Sequence, residues 1–318
     1  DAFDGVGDLK RGIIRCVGRA TERFSEDALR MLRAVRFSAQ LGFVLEEETR
    51  AAIVDLAPNI AKVSAERIQM ELVKLLTSNH PEEIRTAYET GLTAVFLPEF
   101  DRMMETAQNN PHHCYTVGEH TLMALQGVEA DKVLRFTMLL HDVAKPVCRT
   151  TDENGTDHFY GHPQKGSEMA RMILRRLKFD NDTTDRVSAL VRWHDDNPEL
   201  SPRSVRRAIS RIGLERYPAL FAVKRADTLA QSMYRREEKL KYLHDYEMLY
   251  QEVMEKQQCL TIKQLAVTGS DLIEAGMQPG KEIGSVLKKL LELVLEDPEL
   301  NTKEKLLKQV HNLRTPLI

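Results

Sequence analysis

The sequence predicts a mainly α-helical chain of more than one domain, and three observations carry that expectation. Aromatic residues make up only 6% of the chain, with a single tryptophan, Trp193. Glycine and proline are sparse, at 16 and 12 in 318 residues, whereas a large β-sandwich or barrel uses more turn formers and more β-branched and aromatic residues. Apolar residues also recur at helical spacing along most of the chain. The length suggests about two domains, and the 42% apolar share supplies a core. No apolar run approaches the roughly 18 residues of a membrane span. The four cysteines (Cys16, Cys114, Cys148 and Cys259) lie far apart without a CxxC pair. That pattern argues against a disulfide scaffold or a cysteine zinc site and suits a reducing cytoplasm.

The elements follow in order. Residues 1–20 place four glycines around a β-like segment, Ile13–Val17, which reads as the last strand of a domain not otherwise present; the chain also starts at Asp1 rather than Met. From Ser25 the pattern turns helical. Ser25 is suited to cap, Glu26 and Asp27 suit the first turn, Leu29, Leu32, Val35, Phe37, Ala39 and Leu41 form an apolar stripe, and Gly42 stops it. Further helices are expected at about Glu46–Leu56, from Ser64 with Ile68, Leu72, Leu75 and Leu76 inward, and from Pro81 to Gly91, with Pro98 closing this unit. Helices are then expected at 115–127, 131–142, 163–178, 182–195, 202–212 and 216–233. A long charged helix spans Glu237–Gln257, and further helices begin at Ser270.

The net charge of −3 hides uneven patches. Lys10 to Arg36 carries eight basic residues against Glu22, Glu26 and Asp27, and Arg171 to Arg225 carries thirteen against seven acidic ones. Solvated helix faces explain such runs in general, but arginine dominates both, and its planar fork suits phosphates and base edges.

Seven of the ten histidines fall within residues 101–235: His112, His113, His120, His141, His158, His162 and His194. The pair His141-Asp142 emerges from the apolar end Met138-Leu139-Leu140. Polar groups there need a partner, and imidazole with carboxylate suits Mn, Fe, Co, Ni or Zn better than Ca. Val117-Gly118-Glu119-His120, Leu139 to Pro146, Gly161-His162-Pro163, Trp193-His194-Asp195 and Asp227 within Arg225–Gln231 together resemble the HD-domain metal-dependent phosphohydrolases. The resemblance implies that His120, His141, Asp142 and Asp227 hold one metal and that Asp142, His162 and His194 hold a second. It further implies that Lys145 and Lys165 contact substrate phosphate. The reaction would be phosphoester hydrolysis, with the metal as Lewis acid. Asp195 and Asp196 compete with Asp227 for the closing place.

The second informative run is Glu22 to Phe37. In one continuous helix Arg23, Asp27 and Arg30 share a face and Arg33 lies near it. An ion-paired helix accounts for that spacing, but an aspartate acceptor between arginines also suits a base edge flanked by phosphates. The wording of the segment closely resembles the neck of bacterial tRNA nucleotidyltransferases, the CCA-adding enzymes and their poly(A) polymerase relatives. There Glu26-Asp27-Ala28-Leu29-Arg30 would read the incoming nucleotide, with Arg23, Arg33 and Arg36 contributing. Ser64 to Leu76 resembles the next neck motif, Asp1 to Leu9 the linker from the catalytic head, and Thr268–Leu272 and Gly280 to Val310 the RNA-holding tail.

This resemblance implies a multi-helical neck, an HD helical bundle and a helical body and tail, with only a remnant of an α/β head. The domains would be residues 1–20 (linker remnant), 21–100 (neck), 101–235 (HD) and 236–318 (tRNA-binding tail). The implied partners are tRNA and ATP or CTP, with Mg in the parent enzyme and a divalent metal in the HD site. The family's Gly-Ser nucleotide loop and paired metal-binding aspartates are not recognisable: Asp180-Asn181-Asp182 follows a helix, and Gly269-Ser270 lies in the tail. Two-metal nucleotidyl transfer needs such carboxylates, so these 318 residues are not expected to polymerise. An RNA-binding module with a structural HD site and a stand-alone HD nucleotide hydrolase are the competing readings. Activity lost in His141→Ala or Asp142→Ala would disfavour the first, and the neck and tail motifs argue against the second.

Overall fold

The computed structural model describes residues 4–110, 112, 115–256 and 258–314, with side chains as far as residue 311. His113, Cys114, Gln257 and the start of the expected linker, Asp1–Phe3, lie outside them. The fold is mainly α-helical, as the composition predicts. Contacts divide the chain into two compact units. One holds the residues up to 195 together with 218–240, and the other holds 196–217 together with the residues from 241.

The expected helix from Ser25 is in fact two, Ala20–Glu26 and Leu29–Leu41. Asp27 between them is extended, at φ −146° and ψ 101°. Its carboxylate accepts the Leu29 N–H at 3.1 Å, a local bond that competes with continuing the helix. Ser25 donates to the Thr21 carbonyl instead of capping. Leu29, Met31, Leu32, Val35 and Ala39 are buried, while Phe37 and Leu41 stay exposed. The buried face packs on Ala65–Leu76 through Ile68, Leu72, Leu75 and Leu76. Ile13–Ile14 pairs in parallel with Val44–Leu45, so this short strand has its partner within the chain.

Pro98 opens a helix, Pro98–Glu105, rather than closing a unit. Proline at a first helical position gives up an N–H that would be unpaired anyway. The expected boundary at residue 100 therefore falls inside an element that packs on Val117–Gln126. Gly118 permits the approach: a Cβ there would lie 2.6 Å from the Met104 Cα. The helices Lys132–Leu140, His162–Arg176 and Asn181–Trp193 follow close to expectation. The aspartate of the DxD-like run, Asp180, caps the last of these by accepting the Thr183 N–H at 2.7 Å.

A two-stranded hairpin, Thr150–Thr151 with Asp157–His158, was not foreseen. The buried Asp157 carboxylate organises it, meeting Arg149 at 3.0 Å, the Thr151 hydroxyl at 2.7 Å and the Asn109 N–H at 2.8 Å.

In the other unit, Val267, Leu272, Leu290, Val294, Leu306 and Val310 form a core. The buried Arg206 guanidinium donates to the Leu295 and Glu296 carbonyls at the end of the Lys281–Glu296 helix, satisfying acceptors that a helix end leaves open.

Candidate metal centre and neck

Four histidines from four separate elements meet in the first unit. His120 lies inside Val117–Gln126, His141 follows Lys132–Leu140, His162 opens His162–Arg176, and His194 follows Asn181–Trp193. All four are buried. The His162 helix lies close to both the His141 turn and the His194 helix: a Cβ at Gly166 would stand 3.5 Å from the His141 carbonyl and 3.3 Å from Val191 Cγ1.

Each ring is oriented through Nδ1. His141, His162 and His194 lie 2.7, 2.8 and 2.8 Å from the carbonyls of Met138, Phe159 and Val191, and His120 lies 3.3 Å from the Ala230 carbonyl. A carbonyl only accepts, so Nδ1 carries the proton and Nε2 is left to face the site.

The Nε2 atoms converge in pairs, with His120 and His141 3.2 Å apart and His162 and His194 3.3 Å apart. Asp142 stands between the pairs. Its Oδ2 lies 3.3 Å from His141 and 3.7 Å from His120, and its Oδ1 lies 3.5 Å from His162 and 3.8 Å from His194. The sets His120–His141–Asp142 and Asp142–His162–His194 each have the span of a metal site. Asp227, on Tyr217–Ala230, brings Oδ1 to 2.8 Å from His120 Nε2 and 3.6 Å from His141 Nε2. Of its two competitors, Asp195 lines the same cavity and Asp196 pairs with Arg211 at 2.8 Å.

Facing Nε2 lone pairs at this separation repel unless a cation lies between them. A donor set of imidazoles bridged by a carboxylate fits two first-row divalent metals, with the backbone carbonyls as the outer partners that fix ligand orientation. A proton can meet part of the same need. Burial pushes His141 down, but the Asp142 and Asp227 carboxylates outweigh it and bring the imidazole to about 10. Burial and the neighbouring His141 hold His194 down at about 4. Burial disfavours the charged form of Asp142 and Asp227, yet nearby cationic groups keep both well below the usual carboxylate range.

The site opens into a cavity of about 650 Å³. Lys145 lines it, buried, with Nζ 2.8 Å from Asp142 Oδ2 and 2.9 Å from Gln108 Oε1. Lys165 does not join it: the side chain is 54% exposed and faces Glu168 at 3.6 Å. The buried side of its helix runs through His162, Gly166 and Ala170, and position 165 lies with the exposed Gln164 and Glu168. Gln231, Lys239 and His112 also line the cavity and were not singled out from sequence. Gln231 lies four residues beyond Asp227, a spacing that marks it as a neighbour on the helix side. Lys239 sits in the charged run Arg235–Lys239, which reads as a solvated face and gave no signal.

In the neck, the structure does not place Arg23, Asp27 and Arg30 on one continuous helix, because the helix breaks at Asp27. Arg23 and Arg30 each meet Glu26 Oε2 at 2.7 Å. Asp27 accepts from Arg67 at 2.9 Å. Burial works against its charge, but the Leu29 N–H and Arg67 hold the carboxyl below its ordinary value. Arg33 and Arg36 converge on the buried Glu71, at 3.1 and 2.6 Å. Arg36 is thus an internal ion-pair partner, while Arg23, Asp27, Arg30 and Arg33 remain partly exposed.

Residues 42–104 match a family model described as "Probable RNA and SrmB- binding site of polymerase A", and residues 162–310 match one described as tRNA nucleotidyltransferase domain 2. The chain is 34% identical over 313 residues to the CC-adding tRNA nucleotidyltransferase of Thermus thermophilus, covering 93% of this chain and 68% of that protein. The chain belongs to the tRNA nucleotidyltransferase family. The A-adding tRNA nucleotidyltransferase of Deinococcus radiodurans is 31% identical over 310 residues, covering 92% of this chain and 69% of that protein. Among solved structures, the Bacillus stearothermophilus CCA-adding enzyme in complex with CTP aligns with a TM-score of 0.72 at 26% identity, covering 99% of this chain and 69% of that one. This member of the family therefore spans about two thirds of the length of such relatives. Among the described residues, no helix is long and apolar enough to cross a membrane.

Proposed function

We propose that this chain serves tRNA 3′-end maturation as part of a nucleotidyltransferase, binding tRNA and ATP or CTP (the nucleotide with Mg), and that it also carries a metal-dependent phosphohydrolase site of the HD type. Family membership supports the first half. In that reading Asp27 and Arg30 face the incoming base, Arg23 and Arg33 its phosphates, and Arg36 acts through Glu71. Residues from 236 onward serve the tRNA.

One observation carries the second half: each oxygen of the buried Asp142 serves a different pair of histidine Nε2 atoms. His120, His141, Asp142 and Asp227 would hold one metal, and Asp142, His162 and His194 a second. A metal bound there supplies Lewis acidity toward a phosphoryl oxygen. The chain's own residues do the rest. The backbone carbonyls fix the imidazoles, His141 and then Lys145 hold Asp142 ionised, and Lys145 offers a cation to the cavity. The substrates that fit are phosphoesters at RNA ends, such as 2′,3′-cyclic or terminal phosphates.

The test is hydrolysis of such phosphoesters by the chain loaded with Mn, Co, Ni or Zn. Activity that is lost with chelator and in His141→Ala or Asp142→Ala is the expected result. An inert protein that still binds tRNA would reject the hydrolase and leave an RNA-binding module.

A further inference from the structure

Lys239 belongs to the Arg236–Glu255 helix, yet its ammonium reaches the cavity lined by Asp142, His162, His194 and Asp227. Among the described residues its hydrogen-bond partners are both neutral. Nζ lies 3.0 Å from His112 Nδ1 and donates to Gln231 Oε1. Burial, with the nearby Lys239 and Arg235 cations, holds the His112 imidazole down, so its Nδ1 acts as an acceptor. The His112 carbonyl in turn accepts the Ser232 N–H at 2.9 Å, which fixes His112 beside the end of the Tyr217–Ala230 helix.

Gln231 has its orientation set from the other side. Its amide nitrogen donates to Asp227 Oδ2 at 3.2 Å, which leaves its oxygen for Lys239. An ammonium has three donors, and these neutral acceptors use two. Burial pulls the Lys239 ammonium below its ordinary value, against the pull of Asp227 and Asp195. A half-buried cation with a remaining donor on a cavity wall, linked through Gln231 to a candidate metal ligand, is matched by an anionic oxygen.

We propose that Lys239, rather than Lys165, is the second lysine that receives the substrate's phosphoryl group, alongside Lys145. This rests on the phosphohydrolase reading above. Neutral partners are what distinguish it. Lys165 is more than half exposed and 3.6 Å from Glu168, whereas Lys239 is held on the cavity wall by two neutral acceptors, with the Asp227 and Asp195 carboxylates pulling on it from further off. A phosphate oxygen accepting from Nζ would fix the ester against the two clusters.

Two measurements on the full chain test this. The first is kinetics of Lys239→Met and Lys239→Arg with a phosphodiester. Losing a charge-assisted bond made to bound substrate raises KM by about tenfold in Lys239→Met, and Lys239→Arg recovers most of it. An unchanged KM, or a fall in kcat alone that arginine does not rescue, overturns the proposal. The second needs no turnover: the rate of amine acylation at Lys239 and Lys165 in metal-loaded protein, read by mass spectrometry with and without inorganic phosphate. Phosphate is expected to slow Lys239 about threefold or more, through the same charge-assisted contact, and to leave Lys165 unchanged. Protection of Lys239 without any hydrolysis would reject the hydrolase and keep the phosphate contact. Hydrolysis with Lys239 unprotected and KM unmoved would do the reverse, and neither effect would reject both.

Discussion

Arg67 reaches from the Ala65–Leu76 helix to the Asp27 carboxylate at 2.9 Å, tying the second neck motif to the break in the first. The pair is partly exposed, so its contribution to stability is below about 1 kcal/mol, whereas it fixes which way Asp27 faces. Arg67→Ala is therefore expected to leave the melting temperature nearly unchanged. The same variant should lower discrimination between ATP and CTP, by about tenfold if one base-edge contact is lost. Calorimetric titration of both nucleotides checks it, and unchanged discrimination counts against a base-reading role for Asp27.

Glu71 is the buried counterpart of Arg33 and Arg36, with its side chain 5% exposed. Removing one partner of such a set leaves an uncompensated charge, at a cost of about 3–5 kcal/mol. Glu71→Ala should show that loss in urea unfolding. Arg33→Ala, which removes the more exposed arginine, should cost far less.

Gly118→Ala tests how the Val117–Gln126 helix is seated. The new methyl meets the Met104 Sδ, which can swing aside, and also the Met104 N and Cα, which cannot, so a loss of about 1–3 kcal/mol is expected. His120 lies two residues on, so metal affinity, followed by titration, should weaken in the same variant. A stable protein with unaltered affinity would mean the two helices can part without disturbing the site.

Asp157 gives a pH dependence. Burial opposes its ionisation, but Arg149, the Asn109 N–H and the Thr151 hydroxyl hold the carboxyl at about 2, against 3.8 for a free one. A depressed carboxyl stabilises the fold fully above the free value and loses that contribution as pH falls through the folded one. The stability gap between the wild type and Asp157→Asn should thus be constant at neutral pH. It should narrow between pH 3.8 and about 2, as followed by circular dichroism.

Most helices were legible because an apolar stripe at helical period needs no tertiary information: Ala65–Leu76 and Lys132–Leu140 are examples. The break at Asp27 was not, because helical spacing runs straight through it and only the aspartate's bond to Leu29 interrupts it. Pro98 was read as a stop when it is a start, a choice that position alone does not decide. The hairpin at 150–158 escaped because its strands are two residues each and are held by the charge on Asp157 rather than by a pattern. The histidines and aspartates could be picked out by type and neighbours. Lys239 and Gln231 could not, since their relevance lies in which way a charged helix turns.

The Nδ1 bonds divide the site by where its orientation is written. His141, His162 and His194 each use the carbonyl three residues upstream, so a single turn of chain aims the ring. His120 instead depends on Ala230, 110 residues away. The helix that ends at Ala230 also carries Asp227. Loosening that one helix would release the aim of His120 and withdraw a carboxylate in the same motion, while His162 and His194 stayed aimed. The two halves of the cluster thus differ in robustness: one is a local property of short peptide segments, and the other draws His120's aim and the Asp227 carboxylate from a distant helix that must stay docked.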